Sequence, residues 1–363
     1  MRVLLVNDRS PGPGSGVEVH VARLAAALRA AGDDVEVFAG QHIHRGAGKV
    51  LDVWDPWARA ALRRTAQQFR PDVVHHHNVL RELSVSVLGV PRGAATVLSV
   101  HDWRLVRAHE GPEADRRRSP MLLAKQAKGM LDRAVVRRAV DVLVAVAPSL
   151  ERRLVDAGFR RVRTVQNFAD ADPGGPVPVG DDIVYAGRLS VEKGLDVLVE
   201  AFSRVADAHP GARLRLAGGG PEEPNLRRLA ARVPAGRVVF EGVLSETGVR
   251  ELIREARAVC APSTRLTEGA PLVAIEAMLL GRPVVVTESP AFHDLLDGGE
   301  LGVIVPVADV DALAKALDDL LSDRQAAQKL GERAFAVAAS RHTAERAVET
   351  MHAVYREAID AHR

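Results

Sequence analysis

The stretch Ala169-Asp-Ala-Asp-Pro-Gly-Gly-Pro-Val-Pro-Val-Gly-Asp-Asp182 interrupts an otherwise regular pattern, and its position decides the architecture. Gly, Pro and Asp dominate it and no hydrophobic period runs through it, which marks a linker. Before it, short Val/Leu-rich runs alternate with Ala/Arg/Leu segments of helical period. Strands are predicted at Arg2–Asn7, Asp34–Phe38, Val73–His75, Thr96–His101, Val142–Val146 and Arg163–Gln166. Helices are predicted at Glu18–Ala31, Trp57–Gln68, Pro120–Arg138 and Ser149–Ala157. After it the alternation restarts, with strands at Ile183–Ala186, Leu214–Ala217, Val238–Glu241, Ala258–Ala261, Pro283–Thr287 and Leu301–Val305. The helices between them fall near Gly194–Ala208, Pro224–Val233, Glu246–Glu255 and Pro271–Leu280. Two amphipathic helices close the chain, about Asp311–Ser340 (broken near Ser322-Asp323) and Thr343–Ala361. Strands that alternate with helices in this way form a parallel sheet covered on both faces. The expected class is therefore α/β, with doubly wound domains at 1–168 and 183–342, a linker at 169–182, and a last helix (343–363) packing back on the first domain. Two such domains imply a central cleft between their carboxyl-end loops, where open parallel sheets bind ligands.

Composition narrows the class further. The 363 residues are 47% hydrophobic and 26% charged, a globular profile, and no apolar run approaches the ~18 residues that span a bilayer. The first strand starts at Arg2, so no signal peptide is expected. One cysteine, Cys260, excludes a disulfide framework and a multi-cysteine metal site and fits a cytoplasmic protein. Charge is uneven: residues 1–170 hold 27 Lys and Arg against 18 Asp and Glu, and the rest of the chain 22 against 29. Part of the excess lies in Arg116-Arg117-Arg118, Lys125, Lys128, Arg133, Arg137 and Arg138. That segment is either a solvated helix face or a site of peripheral contact with an anionic membrane, or with a phosphorylated acceptor. No nucleic-acid module is present, and aromatics are too sparse for base-stacking platforms.

Three loops carry chemistry. The first, Asp8-Arg-Ser-Pro-Gly-Pro-Gly-Ser-Gly16, is glycine-rich, yet Val17 and Val19 stand where a dinucleotide fingerprint needs its third glycine. The second predicted strand also leads into Ala39-Gly40 without a ribose-holding carboxylate, so a dehydrogenase is excluded. Gly14 and Gly16 still permit close approach of backbone to a phosphate or sugar. The second loop, "AGRLSVEKG" (186–194), puts Gly187, Arg188 and Lys193 at a turn between strand and helix. Two cations beside a helix N-terminus suit a diphosphate, and the arginine can bind it as a fork. The third, "RLTEGAPLVAIEAM" (265–278), carries Glu268 and Glu276. One continuous helix would rotate the second about 80° from the first. Pro271, however, places the helix start after Glu268. Glu268 then lies in the loop, where it can meet sugar hydroxyls, and Glu276 in the second turn, where it can accept two ribose hydroxyl protons. The amides of Leu272 and Val273 would face an anion between them.

"GRLSVEKG" and, about 80 residues on, "EGAPLVAIEAMLLGRPVV" together resemble the donor-binding signature of glycosyltransferase family 4, retaining enzymes of the GT-B fold, two Rossmann-like domains facing a central cleft. The spacing Glu268-x7-Glu276 matches that family's paired glutamates. "PGSGVEVHVARLAAALRAAGDDVEVF", "PDVVHHHN" (71–78), "SVHDW" (99–103), "VAVAPSLERRLVDAGF" (144–159) and "LAGGGPEEPNL" (216–226) agree, so the resemblance covers nearly the whole chain. It implies that Arg188 and Lys193 neutralise the donor diphosphate and that Glu276 holds the ribose. It also implies that Glu268 contacts the transferred sugar, that Gly16 closes over the diphosphate, and that backbone near Val243 meets the base. His101 matches the family histidine near the reacting sugar. "PSTRLTEGAP" lacks the frequent Phe-Gly after the first Glu-Gly, which leaves sugar recognition open.

His75-His76-His77 invites a metal assignment. Successive strand residues face opposite ways, so three neighbours cannot ligate one ion. One or two of them, His77 above all, are expected with Asn78, Asp102 and Arg104 on the acceptor side. Asp170-Ala-Asp172 and Asp309-Val-Asp311 have the form of a metal-binding D-x-D but lie in the linker and at a helix start, so no metal or other cofactor is expected. The enzyme expected is a retaining hexosyltransferase that takes a UDP- or GDP-sugar to an acceptor hydroxyl. Lipid-linked sugars, cell-wall intermediates and small natural products are all compatible acceptors. The rivals are a GT-B epimerase or hydrolase, which needs no acceptor, and a catalytically inactive nucleotide-sugar-binding homologue.

Overall fold

In a computed structural model the described residues are 1–10, 16–40, 54–77, 79, 83–106, 120–170, 178–264 and 272–363, without the side chains of 104 and 120–125. Contacts divide the chain into two units. The first takes in residues 1–10, 17–166 and 347–363, and the second is built on 167–346. The first unit runs β1 (Arg2–Asn7), α1 (Gly16–Ala30), β2 (Asp34–Ala39), α2 (Pro56–Phe69), β3 (Val73–His77), β4 (Ala95–Val100), α3 (Pro120–Ala139), β5 (Val142–Ala145), α4 (Pro148–Asp156) and β6 (Val162–Thr164). Its strands pair, all parallel, in the order β2-β1-β3-β4-β5-β6. The chain steps from β1 to β2 on one side, then returns past β1 to β3. The switch point therefore lies between β1 and β3.

Strands β1, β4 and β5 are nearly continuous apolar runs because both faces of a parallel sheet are covered. Every residue of β3 and β4 is buried. The helices show the matching stripe: α1 buries His20, Val21, Leu24, Ala25 and Leu28. Local chemistry sets the ends. Asp55 caps α2 by accepting a 2.8 Å hydrogen bond from the Ala58 amide, Pro56 opens it, and Arg70 closes it in the left-handed region at φ 50°.

The second unit continues with β7 (Asp182–Ala186), α5 (Leu195–Val205), β8 (Leu214–Ala217), α6 (Glu223–Ala230), β9 (Val238–Gly242), α7 (Glu246–Arg254), β10 (Ala256–Ala261), α8 (Leu272–Leu279), β11 (Val284–Thr287), α9 (Pro290–Leu295), β12 (Val303–Val305), α10 (Val310–Ser322) and α11 (Arg324–Arg341). The parallel order β12-β11-β10-β7-β8-β9 repeats the doubly wound plan, with its switch point between β7 and β10. Asp309 and Asp323 each cap a helix, accepting from the amides of Ala312 and Ala326, which accounts for the break between α10 and α11. The final helix, α12 (Ala344–His362), gives its length from Ala347 onward to the first unit. No described helix is long and apolar enough to cross a membrane.

The described ends of the 169–182 stretch are packed into the second unit. Ala169 and Val179 are buried, the Gly180 amide donates 3.0 Å to the Ala256 carbonyl, and Asp181 is held by Arg257. Cys260 lies at 0% exposure in the core around Leu198, Phe202 and Val285, and burial pushes its thiol pKa up. A thiol reagent should therefore leave the native protein untouched at pH 8 and titrate one equivalent once urea is added. Native-state labelling would show that this core opens.

Candidate functional site

The loop after β7 is a constrained turn. Gly187 leaves the strand, Arg188 is exposed, Val191–Lys193 forms a short 3-10 turn, and Gly194 adopts the left-handed region at φ 65°, where its amide leads into α5. A side chain at Gly194 would put its Cβ 2.1 Å from the Pro262 carbonyl, so only glycine fits. Neighbouring loops pin the turn on both sides. The Glu192 carbonyl accepts from the Thr264 amide (2.9 Å) and the Ser263 hydroxyl (2.9 Å), just past β10. The Leu189 amide donates to Gly219 (3.0 Å), its carbonyl accepts from the Glu222 amide (3.0 Å), and the Tyr185 hydroxyl donates to the Arg188 carbonyl (2.8 Å). Arg188 and half-buried Lys193 thus stand on a backbone fixed from β8 and from β10.

Glycines let these loops approach. A Cβ on Gly218 would lie 1.8 Å from the Gly187 carbonyl, one on Gly220 2.1 Å from the Leu189 carbonyl, and one on Gly219 3.2 Å from Val243. Val243, just past β9, is 72% exposed beside this glycine loop. From β10 the chain leads to α8, where Leu272 and Val273 form the first turn and half-buried Glu276 opens the second. The second unit therefore gathers Gly187, Arg188, Lys193, Val243, Leu272, Val273 and Glu276 on the loops and helix that follow β7, β9 and β10. Glu268 lies outside the described residues.

In the first unit the period of two sorts the histidine run. His75 and His77 share a face, with ring centroids 4.0 Å apart, and His76 points to the other. His75 is locked on both nitrogens, Nδ1 with the Tyr355 hydroxyl and Nε2 with the Ser99 hydroxyl, each at 2.8 Å. His77, expected among the acceptor contacts, is fully buried, and its Nδ1 lies 3.1 Å from His101 Nε2. Burial holds His75 and His77 well below the usual imidazole pKa, reinforced by neighbouring histidines, and pushes His76 down to about 3. All three are neutral at physiological pH.

His101, half-buried, and Asp102 follow β4. Gly16 opens α1. Gly14 and Asn78 lie outside the described residues, as does the side chain of Arg104. His20 was not anticipated: it stands on the buried face of α1, 5.8 Å from the His77 ring and 5.2 Å from the His101 ring. Its one signal is a polar side chain on an otherwise apolar stripe. The D-x-D expectation for 309–311 resolves structurally, since Asp309 is a helix cap and Asp311 pairs with Arg204.

Two matches to known families settle what kind of protein carries these loops. The family described as Glycosyltransferase Family 4 matches residues 14–173, and Glycosyl transferases group 1 matches 180–323. The chain belongs to glycosyltransferase family 4. The glycosyltransferase is 27% identical to a glycogen synthase of Mycobacterium tuberculosis over 91% of this chain and 88% of that one. It is 29% identical to a phosphatidyl-myo-inositol mannosyltransferase of Mycobacterium leprae, over 88% and 87%. Its fold matches Anabaena Alr3699/HepE, solved with UDP and glucose, at a TM-score of 0.70 and 19% identity over 97% and 98% of the two chains. The architecture of this glycosyltransferase is GT-B.

Proposed function

We propose that the enzyme transfers a hexose-type sugar from a nucleotide diphosphate sugar to an acceptor hydroxyl, with retained configuration and no obligatory metal. The observation that carries this reading is the Arg188–Lys193 turn at the switch point of the second sheet, fastened through Glu192 to the strand that leads to Glu276. Arg188 offers a planar fork and Lys193 a compact charge to the two phosphates, both carried on a backbone that is already fixed before leaving-group charge develops. Glu276 accepts from the ribose hydroxyls, the Leu272 and Val273 amides meet the diphosphate, and the base lies against Val243. A relative solved with UDP and glucose and relatives named for glucan and mannosyl transfer favour a UDP- or GDP-hexose.

No carboxylate stands out as a nucleophile, so attack on the face the diphosphate leaves accounts for retention. The acceptor oxygen bonds to the anomeric carbon as the carbon–phosphate oxygen bond breaks, and the hydroxyl proton passes to the departing diphosphate. His101 is assigned by family resemblance to the reacting sugar, Glu268 to the sugar and Gly14 and Gly16 to the phosphates. Asp102, Asn78 and Arg104 fall on the acceptor side. A basic first unit suits an anionic, lipid-linked acceptor and peripheral contact with the inner face of a membrane.

Glu276→Ala and Lys193→Ala should each slow donor-dependent transfer by at least about tenfold with unchanged unfolding curves. Near-normal rates in both would sink the reading. NMR of the product anomer tests retention, and undiminished turnover in EDTA tests metal independence. A thermal-shift screen of nucleotides and nucleotide sugars identifies the donor.

A further inference from the structure

Three histidines from three different elements converge at the carboxyl edge of the first sheet. His20 comes from the second turn of α1, His77 ends β3, and His101 follows β4. Each offers a ring nitrogen, and those atoms all lie within 4.8 Å of one another. Among the described residues this is the one group of three with that geometry. A tetrahedral ion with nitrogen ligands near 2.0–2.1 Å needs its donors roughly 3.3 Å apart. The His77–His101 pair is already at 3.1 Å, and the 4.8 Å limit leaves His20 at most about 1.5 Å to close, within the reach of side-chain rotation. His77 adds a second sign: it is fully buried, and its Nε2 has no hydrogen-bond partner. Leaving a buried ring nitrogen without a partner is unfavourable, and rotation of the His77 ring would let Nε2 take a cation as its partner.

We infer that His20, His77 and His101 form a binding site for a divalent transition metal of the Zn²⁺ class, and that its occupation inhibits transfer. Three imidazoles suit Zn²⁺, Co²⁺, Ni²⁺ or Cu²⁺ and disfavour Mg²⁺, Ca²⁺ and Mn²⁺, which prefer oxygen. The frame is rigid, since β3 and β4 are paired with His77 opposite Ser99, and His75, stacked on His77, is fixed by Tyr355 and Ser99. Three protein ligands leave the fourth position to water. No carboxylate belongs to the group, and Arg23 on the same helix as His20 opposes a cation electrostatically. The site is therefore weaker than a structural zinc site and fills only when metal is supplied. Ligation replaces the His77–His101 hydrogen bond and ties up the imidazole assigned to the reacting sugar. The inhibitory half rests on that assignment; the binding half does not.

The test is a titration of the EDTA-treated full-length protein with Co²⁺, followed by visible absorption, and with Zn²⁺, followed by calorimetry. Wild type should give the intense absorption of four-coordinate Co²⁺ and bind Zn²⁺ at one site, with Mg²⁺ giving neither. His20→Ala and His101→Ala should each weaken Zn²⁺ by more than the roughly 10–100-fold that loss of a mere outer partner causes. His293→Ala, an exposed histidine elsewhere, should bind as wild type does. Absence of the Co²⁺ spectrum in wild type, or its persistence in folded His20→Ala and His101→Ala, overturns the site. Transfer, measured against each variant's own metal-free rate, should fall with Zn²⁺ in wild type, recover with EDTA, and lose its Zn²⁺ response in His20→Ala. Zn²⁺ bound at the three histidines with transfer unchanged overturns the inhibition and leaves the site. A wild type without transfer activity counts against the proposed function, and the Co²⁺ spectrum still decides the site.

Discussion

Replacing Gly218 by alanine is expected to destabilise the second unit by about 2–6 kcal/mol and to raise the donor KM sharply. Gly218 sits at φ +133°, a conformation a side chain makes costly, about 1–3 kcal/mol by itself. The new Cβ would also stand 1.8 Å from the Gly187 carbonyl oxygen and 2.9 Å from its carbon. Those atoms are backbone and cannot swing aside as a lysine end could. Overpacking against such a neighbour adds about 1–3 kcal/mol.

Relief would come by pushing the β7–α5 loop outward. That loop is held by the Gly187 amide on Ala217, the Leu189 amide on Gly219 and the Glu222 amide on Leu189. The shift would move Arg188 away from the position proposed for the diphosphate. Gly211→Ala is the control: nothing lies within 4 Å of its Cβ, so the change should be neutral or stabilising by a few tenths of a kcal/mol. Urea unfolding and donor-dependent kinetics measure both. A Gly218→Ala protein with wild-type midpoint and KM would mean the three loops are not locked together.

Much of this lock was invisible in the sequence. Strand and helix positions followed from hydrophobic period, because burial on one helix face or on both sheet faces leaves a regular trace. The expected Leu214–Ala217 is the observed β8, and the expected break near Ser322-Asp323 is an aspartate cap. The candidate donor residues Arg188, Lys193 and Glu276 were legible because they lie close to glycine or proline punctuation that fixes where a loop gives way to a helix. What periodicity does not carry is the approach of one loop to another. That the Glu192 carbonyl would accept from both Ser263 and Thr264 depends on strand order, since β7 and β10 are neighbours only through the crossover.

The six-residue α9 was missed for a related reason: Pro290–Leu295 is too short to show a period. In α11 the buried face is made of Ala327, Gly331, Ala334 and Ala338. Such small residues contrast weakly with their polar neighbours, yet a Cβ at Gly331 would come 2.0 Å from the Gly281 carbonyl. His20 escaped because a single imidazole on an apolar stripe looks like a satisfied core histidine until its neighbours in space are known. His77 and His101 were singled out as separate strand-end residues, and only the pairing of β3 with β4 brings them together.

The final helix should prove indispensable to the first unit. Tyr355→Ala is expected to cost about 4–8 kcal/mol there. The side chain is completely buried on α12, its ring 5.6 Å from that of His75 on β3. Truncating a buried aromatic costs about 3–5 kcal/mol through lost transfer and the cavity left behind. The hydroxyl adds its own share, because without it His75 Nδ1 loses its 2.8 Å partner in a site where burial already disfavours an unpaired polar atom. Tyr355→Phe isolates that share and should cost about 1–3 kcal/mol.

Surface pairs along the helix cannot substitute. Arg163 makes a forked contact with Glu357 at 2.8 and 2.9 Å, but both side chains are substantially exposed, so Arg163→Ala should cost no more than about 1 kcal/mol. Denaturant unfolding of a two-unit chain gives separable transitions where the units differ in stability. Tyr355→Ala should lower the first unit's midpoint and leave the second's in place. Equal losses in both would mean the helix belongs to neither core in particular. A loss in Tyr355→Ala no larger than in Arg163→Ala would mean α12 is held by its rim, against the buried contacts described above. If instead Tyr355→Phe accounts for most of the alanine loss, the hydrogen bond to His75 rather than the ring anchors the helix.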